Sequence, residues 1–451
     1  LSRTAWRSYL RATPRLTPVL SSTSTSTVIP TDTDTNTESI NHRFKFKKQA
    51  IKLIVCFFLT SCSLNNPESP QGSLPLNDSD YPYAGIPRIV IETKDFREIR
   101  DKETKIPGYF QIYGSEAPET GVWEMTIRGR GNSSFKMPKY GYKIKFSGKR
   151  EILGMPSNRE WVLIANFRDK THLKNYISSQ LAETLGDDYS VRSKFVELYI
   201  NREYLGLYQL SENVKVGKNR VNIKDSDFLL EKTTESSDKP YFRTEQGNLF
   251  EIKNPKECSI GDVDKVKKHI DDFEDLIVSQ SFDIEELRKW LDLKDFIRYY
   301  WIQELSKNLD GKFQRSIFVT WEQDGIIKMG PVWDFDLGYG IGMVGVTTTP
   351  QGWEIRKTAW FKRLWENKDF AVHAKDYWKK YHSEIVSIID SIDYASQIIQ
   401  QAVANDNKRW PVLDTDENLY HETKYHNYPE AIDSLEYWIR QRINWIDSQL
   451  D

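Results

Sequence analysis

The chain has 451 residues, of which 39% are hydrophobic, 13% aromatic and 28% charged. That composition excludes a wholly disordered chain, a collagen-like repeat and a polytopic membrane protein, and it supplies enough Trp, Tyr and Phe for a large core. The formal net charge of −2 lacks the basic excess of a nucleic-acid footprint, so no nucleic acid is expected among the partners.

Residues 1–61 differ in kind, with nine Lys/Arg against three Asp/Glu. Ser21–Ile40 is dominated by Ser and Thr, with too little apolar surface to offset the entropy of ordering it. The first Met is Met125, and residues 1–43 are read as a disordered upstream segment outside the folded domain. Arg43, Lys45, Lys47, Lys48 and Lys52 then precede the apolar run Leu53–Leu59, which is followed by Thr60-Ser61-Cys62 to complete Leu59-Thr60-Ser61-Cys62. A basic stretch, a short apolar stretch and small residues at a cut site make residues 44–61 a secretory signal. Its last four residues resemble the bacterial lipobox, whose Cys is lipidated. Cys62 would then anchor the exported chain to the bacterial envelope, periplasmic or at the cell surface. The apolar run is far short of the ~20 residues that span a bilayer. Residues 62–85, rich in Asn, Pro, Ser and Gly, read as a tether. With Cys56 removed and Cys62 acylated, Cys258 has no partner, so neither a disulfide nor a Cys-based zinc site is expected.

The globular part, residues 86–450, opens with strands at Arg88–Glu92, Val122–Arg128 and Tyr142–Phe146, the last two flanking Gly129-Arg130-Gly131-Asn132-Ser133-Ser134. A helix capped by Asp169 or Thr171 runs to about Leu185 and closes at Gly186. Phe195–Ile200 and Leu205–Leu210 form a hairpin around Asn201–Tyr204. After a polar stretch at 231–247 the pattern turns helical: Asp262–Gln280, Asp283–Leu291 and Leu293–Lys307, then Trp360–Glu366, Phe370–Ile392 and Pro429–Leu450. One more hairpin joins Ser316–Trp321 to Ile326–Val332. The expected class is α+β, with a β-rich N-terminal half and a mostly helical C-terminal half.

Two features can carry chemistry. The glycine loop at 129–134 is followed by a strand, which argues against a dinucleotide fold and leaves a phosphate-facing kinase clamp or a plain hairpin. Alternation puts Lys143 and Lys145 on one face of that strand and Tyr142, Ile144 and Phe146 on the other. Asp310 opens a loop after a long helix, and the following hairpin delivers Trp333-Asp334-Phe335-Asp336-Leu337-Gly338. Two acidic loops joined by a hairpin suit phosphoryl transfer, where one Asp accepts a proton and another holds Mg²⁺; two turn-capping aspartates would read the same way. His421 and His426 in HETKYH are spaced i, i+5, so they do not form the i, i+4 pair of a metalloprotease.

The segments RGRGNSSFKMPKYGYKIKF (128–146), NFRDKTHLKNYISSQLAETLG (166–186), VELYINREYLGLYQLSENV (196–214) and GPVWDFDLGYG (330–340) resemble the CotH kinase family, in family order. The resemblance implies an atypical protein-kinase-like, two-lobed fold that binds ATP and Mg²⁺ and phosphorylates Ser/Thr of a protein. It makes Asp310 the catalytic Asp and Asp334 the metal ligand, with Asp336 in the same motif as a second candidate; Asn308, outside the family pattern, is the candidate ligand from the other side. It makes Arg128, Asn132 and Ser133 the phosphate-facing loop, Lys145 the phosphate lysine with Lys143 and Lys139 as alternatives, and Glu212 a hinge residue near the adenine. Glu183 is the topological guess for that lysine's partner. One departure stands out, since Arg315-Ser316 lies where members often carry Asn. The alternative reading is a non-catalytic surface module whose ligand is a polysaccharide or a protein.

Overall fold

The structure, a computed structural model, describes residues 80–114, 121–236, 238–341, 345–415 and 423–450. The upstream segment, the signal, Cys62, most of the tether and His421 lie outside the described residues. All described residues belong to one unit of the chain, residues 66–451.

Seven strands close into a barrel: β1 (Arg88–Thr93), β2 (Ile106–Tyr113), β3 (Trp123–Arg130), β4 (Gly141–Ile152), β5 (Met155–Ile164), β6 (Ser193–Ile200) and β7 (Glu203–Glu212). Period-two patterning builds it: Trp123, Met125 and Ile127 of β3 meet Tyr142, Ile144 and Phe146 of β4 inside, with Trp161, Leu163 and Leu198 filling the interior. Neighbours pair antiparallel except at the seam, where β1 and β6 run parallel. Across that seam Arg88 faces Glu197 in a buried ion pair at 2.9 Å. Glu197 also accepts from the Tyr204 hydroxyl at 3.0 Å and from Asn405 Nδ2 at 2.7 Å, so the buried charge is fully partnered. The expected α+β class is present. The closed barrel is the feature that the expectation of a kinase-like pair of lobes did not contain, because one strand's pairing with a partner a hundred residues later leaves no local signal.

A second, five-stranded sheet has the order β12-β11-β8-β10-β9, from β8 (Phe228–Thr233), β9 (Tyr241–Arg243), β10 (Leu249–Asn254), β11 (Ile317–Trp321) and β12 (Ile327–Met329). The hairpin β11–β12 is where the sequence places it. The stretch 231–247, read as merely polar, supplies part of β8 and all of β9, with β10 following. Each strand is short and carries Lys, Glu or Arg within it, so the apolar alternation is too brief to register. The helices α1 (Lys174–Thr184), α2 (Ile260–Ser279), α3 (Ile284–Arg288) and α4 (Leu293–Ser306) follow their expected positions to within a few residues. They are followed by α5 (Gly345–Thr348) and α6 (Ala359–Glu366). The expected helix 370–392 is instead three pieces, α7 (Lys368–Lys380), α8 (His382–Val386) and α9 (Ile388–Arg409), and α10 (Tyr428–Leu450) ends the fold. At the first break Tyr381 leaves helical geometry, while Trp378 and His382 both bond to Asp447, at 2.7 and 3.1 Å.

Helix α9 docks on the barrel through buried polar groups. Asp406 accepts from Leu207 N at 2.7 Å and from Lys139 Nζ at 2.6 Å. Gly206 makes this approach possible, since a Cβ there would lie 2.1 Å from Asp406 Oδ1.

Candidate active site

Helix α4 ends under tight control. The buried carboxylate of Glu304 accepts from the backbone N–H groups of Glu354, Ile355 and Arg356 at 2.9, 2.9 and 3.0 Å and pairs with buried Arg442 at 2.8 Å. Lys307, left-handed at φ 47°, stops the helix and turns the chain through Asn308 into the loop carrying Asp310. Beyond the β11–β12 hairpin, Gly330 N donates to Phe318 O at 2.7 Å, and a Cβ on Gly330 would lie 2.5 Å from that of Phe318. The loop 330–340 is then laced to the first one: Tyr339 N donates to Ser306 O at 2.7 Å, Asn308 Nδ2 to Asp334 O at 3.1 Å, and Ser316 Oγ to Asp334 Oδ2 at 2.8 Å. Asp334 (φ 69°) and Ser316 (φ 58°) are both left-handed non-glycine residues, the kind of backbone strain that concentrates at functional sites.

The acids of the two loops feel one another. Asp310 is pushed up to about 7, first by burial, then by the charge of Asp334, against an opposing pull from Arg315. Burial pushes Asp336 up to about 8, helped by Asp334 and Asp310 and opposed by Arg168 and Lys174. Three carboxyl groups therefore share a region in which the cations present do not balance them.

Arg130 enters this field from the barrel. Burial lowers its pKa, while Asp334, Glu231 and Asp336 hold its charge in place and Arg128 repels it. Its guanidinium lies over the Trp333 ring, 5.1 Å from the centroid. The reading of the sequence did not select Arg130, Arg168 or Lys174. Strand alternation contained a signal for the first, because Arg130 follows Arg128 by two residues on β3 and shares its outer face.

Arg128 lies opposite Lys143 in the β3–β4 register and donates to Lys102 O. Lys143 pairs with Glu160 at 2.9 Å, and Lys145, half-exposed, lies 4.0 Å from the same carboxylate, with Lys215 at 3.5 Å. Glu160 is held down at about 2 by these lysines despite its burial. Glu212 is buried between Arg192 and Arg220, each at 3.0 Å. Asn132 and Ser133 are exposed on the loop after β3. Lys139 is committed to Asp406, and Glu183 is exposed near Gln180 rather than beside a lysine. Arg128, Lys143 and Lys145 thus share the outer face of β3 and β4, whereas Glu212, opposite Trp161 in the β5–β7 register, has the inner-face position; the acids come from the neighbouring loops, and Arg130 feels both Arg128 and those acids.

Among the described residues, no three His, Cys, Asp or Glu side chains gather as a set able to hold a metal ion alone. The donors available are hard oxygens: the carboxylates of Asp334 and Asp336, and Asn308 Oδ1, which is buried without a hydrogen-bond partner. That set fits Mg²⁺, which is usually held by one or two carboxylates and completed by water and substrate phosphates.

A barrel wall carrying lysines and arginines, with two loops of mutually repelling carboxyls, marks an α+β protein whose candidate site combines buried acids with cationic strand residues. The sequence profile of one family, CotH kinase protein, matches residues 127–446, and the chain belongs to that family. A direct sequence comparison with the curated proteins finds no match.

Proposed function

We propose that the chain is an atypical, kinase-like phosphotransferase that uses Mg-ATP to phosphorylate Ser/Thr hydroxyls of a protein. The observation that carries this reading is the joining of the two acidic loops, Asn308 Nδ2 donating to Asp334 O at 3.1 Å and Ser316 Oγ to Asp334 Oδ2 at 2.8 Å, with Arg130 over Trp333 beside them; burial and mutual charge raise Asp310 and Asp336 there. Family membership supports it. Asp310, titrating near neutral pH, takes the proton of the acceptor hydroxyl as that oxygen bonds to the γ-phosphorus and the bond to ADP breaks. Asp334, Asp336 and Asn308 Oδ1 would hold Mg²⁺, whose charge offsets that of the phosphates when bound. Arg130 faces the same charge from the barrel, and Lys143 and Lys145, farther along the adjoining strand, would meet the nucleotide.

Calorimetric titration of the full chain with ATP, with and without Mg²⁺, tests this directly. Metal-dependent binding that disappears in a folded Asp334→Ala variant is expected. Metal-independent binding, or none from folded wild type, overturns the proposal and favours a non-catalytic module binding surface polysaccharide or protein. Export and lipid anchoring at Cys62 belong to the same proposal. Metabolic labelling with a fatty acid should mark the wild type and spare Cys62→Ala, and equal labelling of both would refute the anchor. Among the described residues, no helix is long and apolar enough to cross a membrane.

A further inference from the structure

The peptide group between Asp334 and Phe335 is gripped from both sides by side-chain amides. Its carbonyl accepts from Asn308 Nδ2 at 3.1 Å, and its N–H donates to Asn175 Oδ1 at 2.8 Å. Asn175 sits in the first turn of α1, far from either loop in sequence. Its Nδ2 donates to Asn166 Oδ1 at 3.1 Å, Asn166 Nδ2 donates to Gln209 Oε1 at 3.2 Å, and Gln209 Nε2 donates to Ser193 Oγ at 2.8 Å. The line runs from β6 and β7 of the barrel, through the residue left-handed at φ 48° after β5, to the centre of the acidic loop. Asn166, Asn175, Gln209 and Phe335 are all buried, each at 9% exposure or less.

We infer that this amide relay is a positioning device, which fixes the backbone that carries Asp334 and Asp336 relative to the barrel wall. The chemistry favours that role over simple packing. Each amide donates to the next member and accepts from the previous one, and Asn166 Nδ2 also donates to His172 O at 3.3 Å, so the direction of every bond is set, and rotating one side chain would orphan buried groups along the line. Apolar side chains of similar size would fill the same space without fixing the orientation of a peptide plane. A site that must hold two carboxylates to within about 0.5 Å needs such support. The catalytic meaning of the relay rests on the phosphotransferase reading above; its mechanical role does not.

The test uses three variants of the full chain: Asn175→Ala, Gln209→Leu at the far end of the relay, and Gln209→Glu. The last keeps an acceptor for Asn166, and the Ser193 hydroxyl can turn to donate to it. Amide hydrogen exchange reports Phe335 against buried barrel amides such as Ile144, and calorimetry reports Mg-ATP affinity. Gln209→Leu should speed exchange at Phe335 at least tenfold beyond any change at Ile144 and weaken Mg-ATP binding about tenfold, while Gln209→Glu preserves both. Asn175→Ala should exceed Gln209→Leu on each measure, and its failure to fold would leave the Gln209 pair decisive. Equal exchange changes at Phe335 and Ile144 in Gln209→Leu would show only a structural role and overturn the inference. Wild type without Mg-ATP binding would sink the phosphotransferase reading alone, and exchange would still decide the relay.

Discussion

At the residue scale, Asp310 and Asp336 are maintained against their own preference. Each would ionise freely in water, and each is held near neutral by burial and by its acidic neighbours. A group like this destabilises the fold at any pH above its ordinary value, so removing its charge should help stability and harm function. Asp336→Asn is expected to raise the unfolding midpoint at pH 8 by about 2–4 °C while weakening Mg-ATP binding, read by calorimetry in both senses. Asp310→Asn should slow phosphate transfer from labelled ATP by about 10²–10⁴-fold with little change in nucleotide affinity. Two histidines set the opposite pH trend. Burial, aided by the charge of Lys139, lowers His172 to about 3; burial lowers His269, stacked on Trp321 at 4.1 Å, to about 4. Below pH 6.5 the unfolded chain takes up protons that the folded rings refuse, so stability is full above that value and falls on acidification. The slope is at most about 1.4 kcal/mol per pH unit for each ring. Denaturant midpoints between pH 7 and 4 should therefore decline less steeply in His269→Phe.

At the scale of elements, the fold depends on a few buried polar joints between pieces distant in sequence. Asp406 of α9 joins β7 and Lys139, both partners being almost completely buried. Asp406→Ala would strand an ammonium in the interior at a cost of about 3–5 kcal/mol, and the pair Lys139→Met with Asp406→Leu should recover most of it, measured by chemical denaturation. Such joints explain what was hard to read. Long amphipathic helices and the two hairpins announce themselves through spacing. Strands β8, β9 and β10 are short and mixed in polarity, and they become strands because β11, more than sixty residues later, pairs with β8. The extension of the last broken helix to Arg409 likewise depends on the barrel surface it covers.

At the scale of the whole molecule, family and fold do not share a boundary. The CotH profile begins at residue 127, inside β3, whereas β1 and β2 lie before it and complete the barrel. Without them, β3 and β6 would each present an unpaired edge and Glu197 would lose Arg88. A fragment beginning at residue 127 is expected to be insoluble or to lack a cooperative unfolding transition, whereas one beginning at residue 80 should unfold cooperatively. A cooperative transition in the shorter fragment would show that the barrel tolerates opening.

The mixed class, the family and the two acidic loops could be read along the chain, because they rest on local spacing and on motifs a few residues long. Asp310, Asp334 and Asp336 were therefore legible, as were Lys143 and Lys145 on their common face. The barrel's closure, the commitment of Lys139 to Asp406 and of Glu212 to two arginines, and the arrival of Arg130 at the acids emerge in the folded molecule. It alone revealed the amide line from Ser193 to Phe335. Those outcomes depend on which distant segments share a buried volume, and the energies that select them, desolvation and the pairing of buried charge, exist only once the chain has excluded water from that volume.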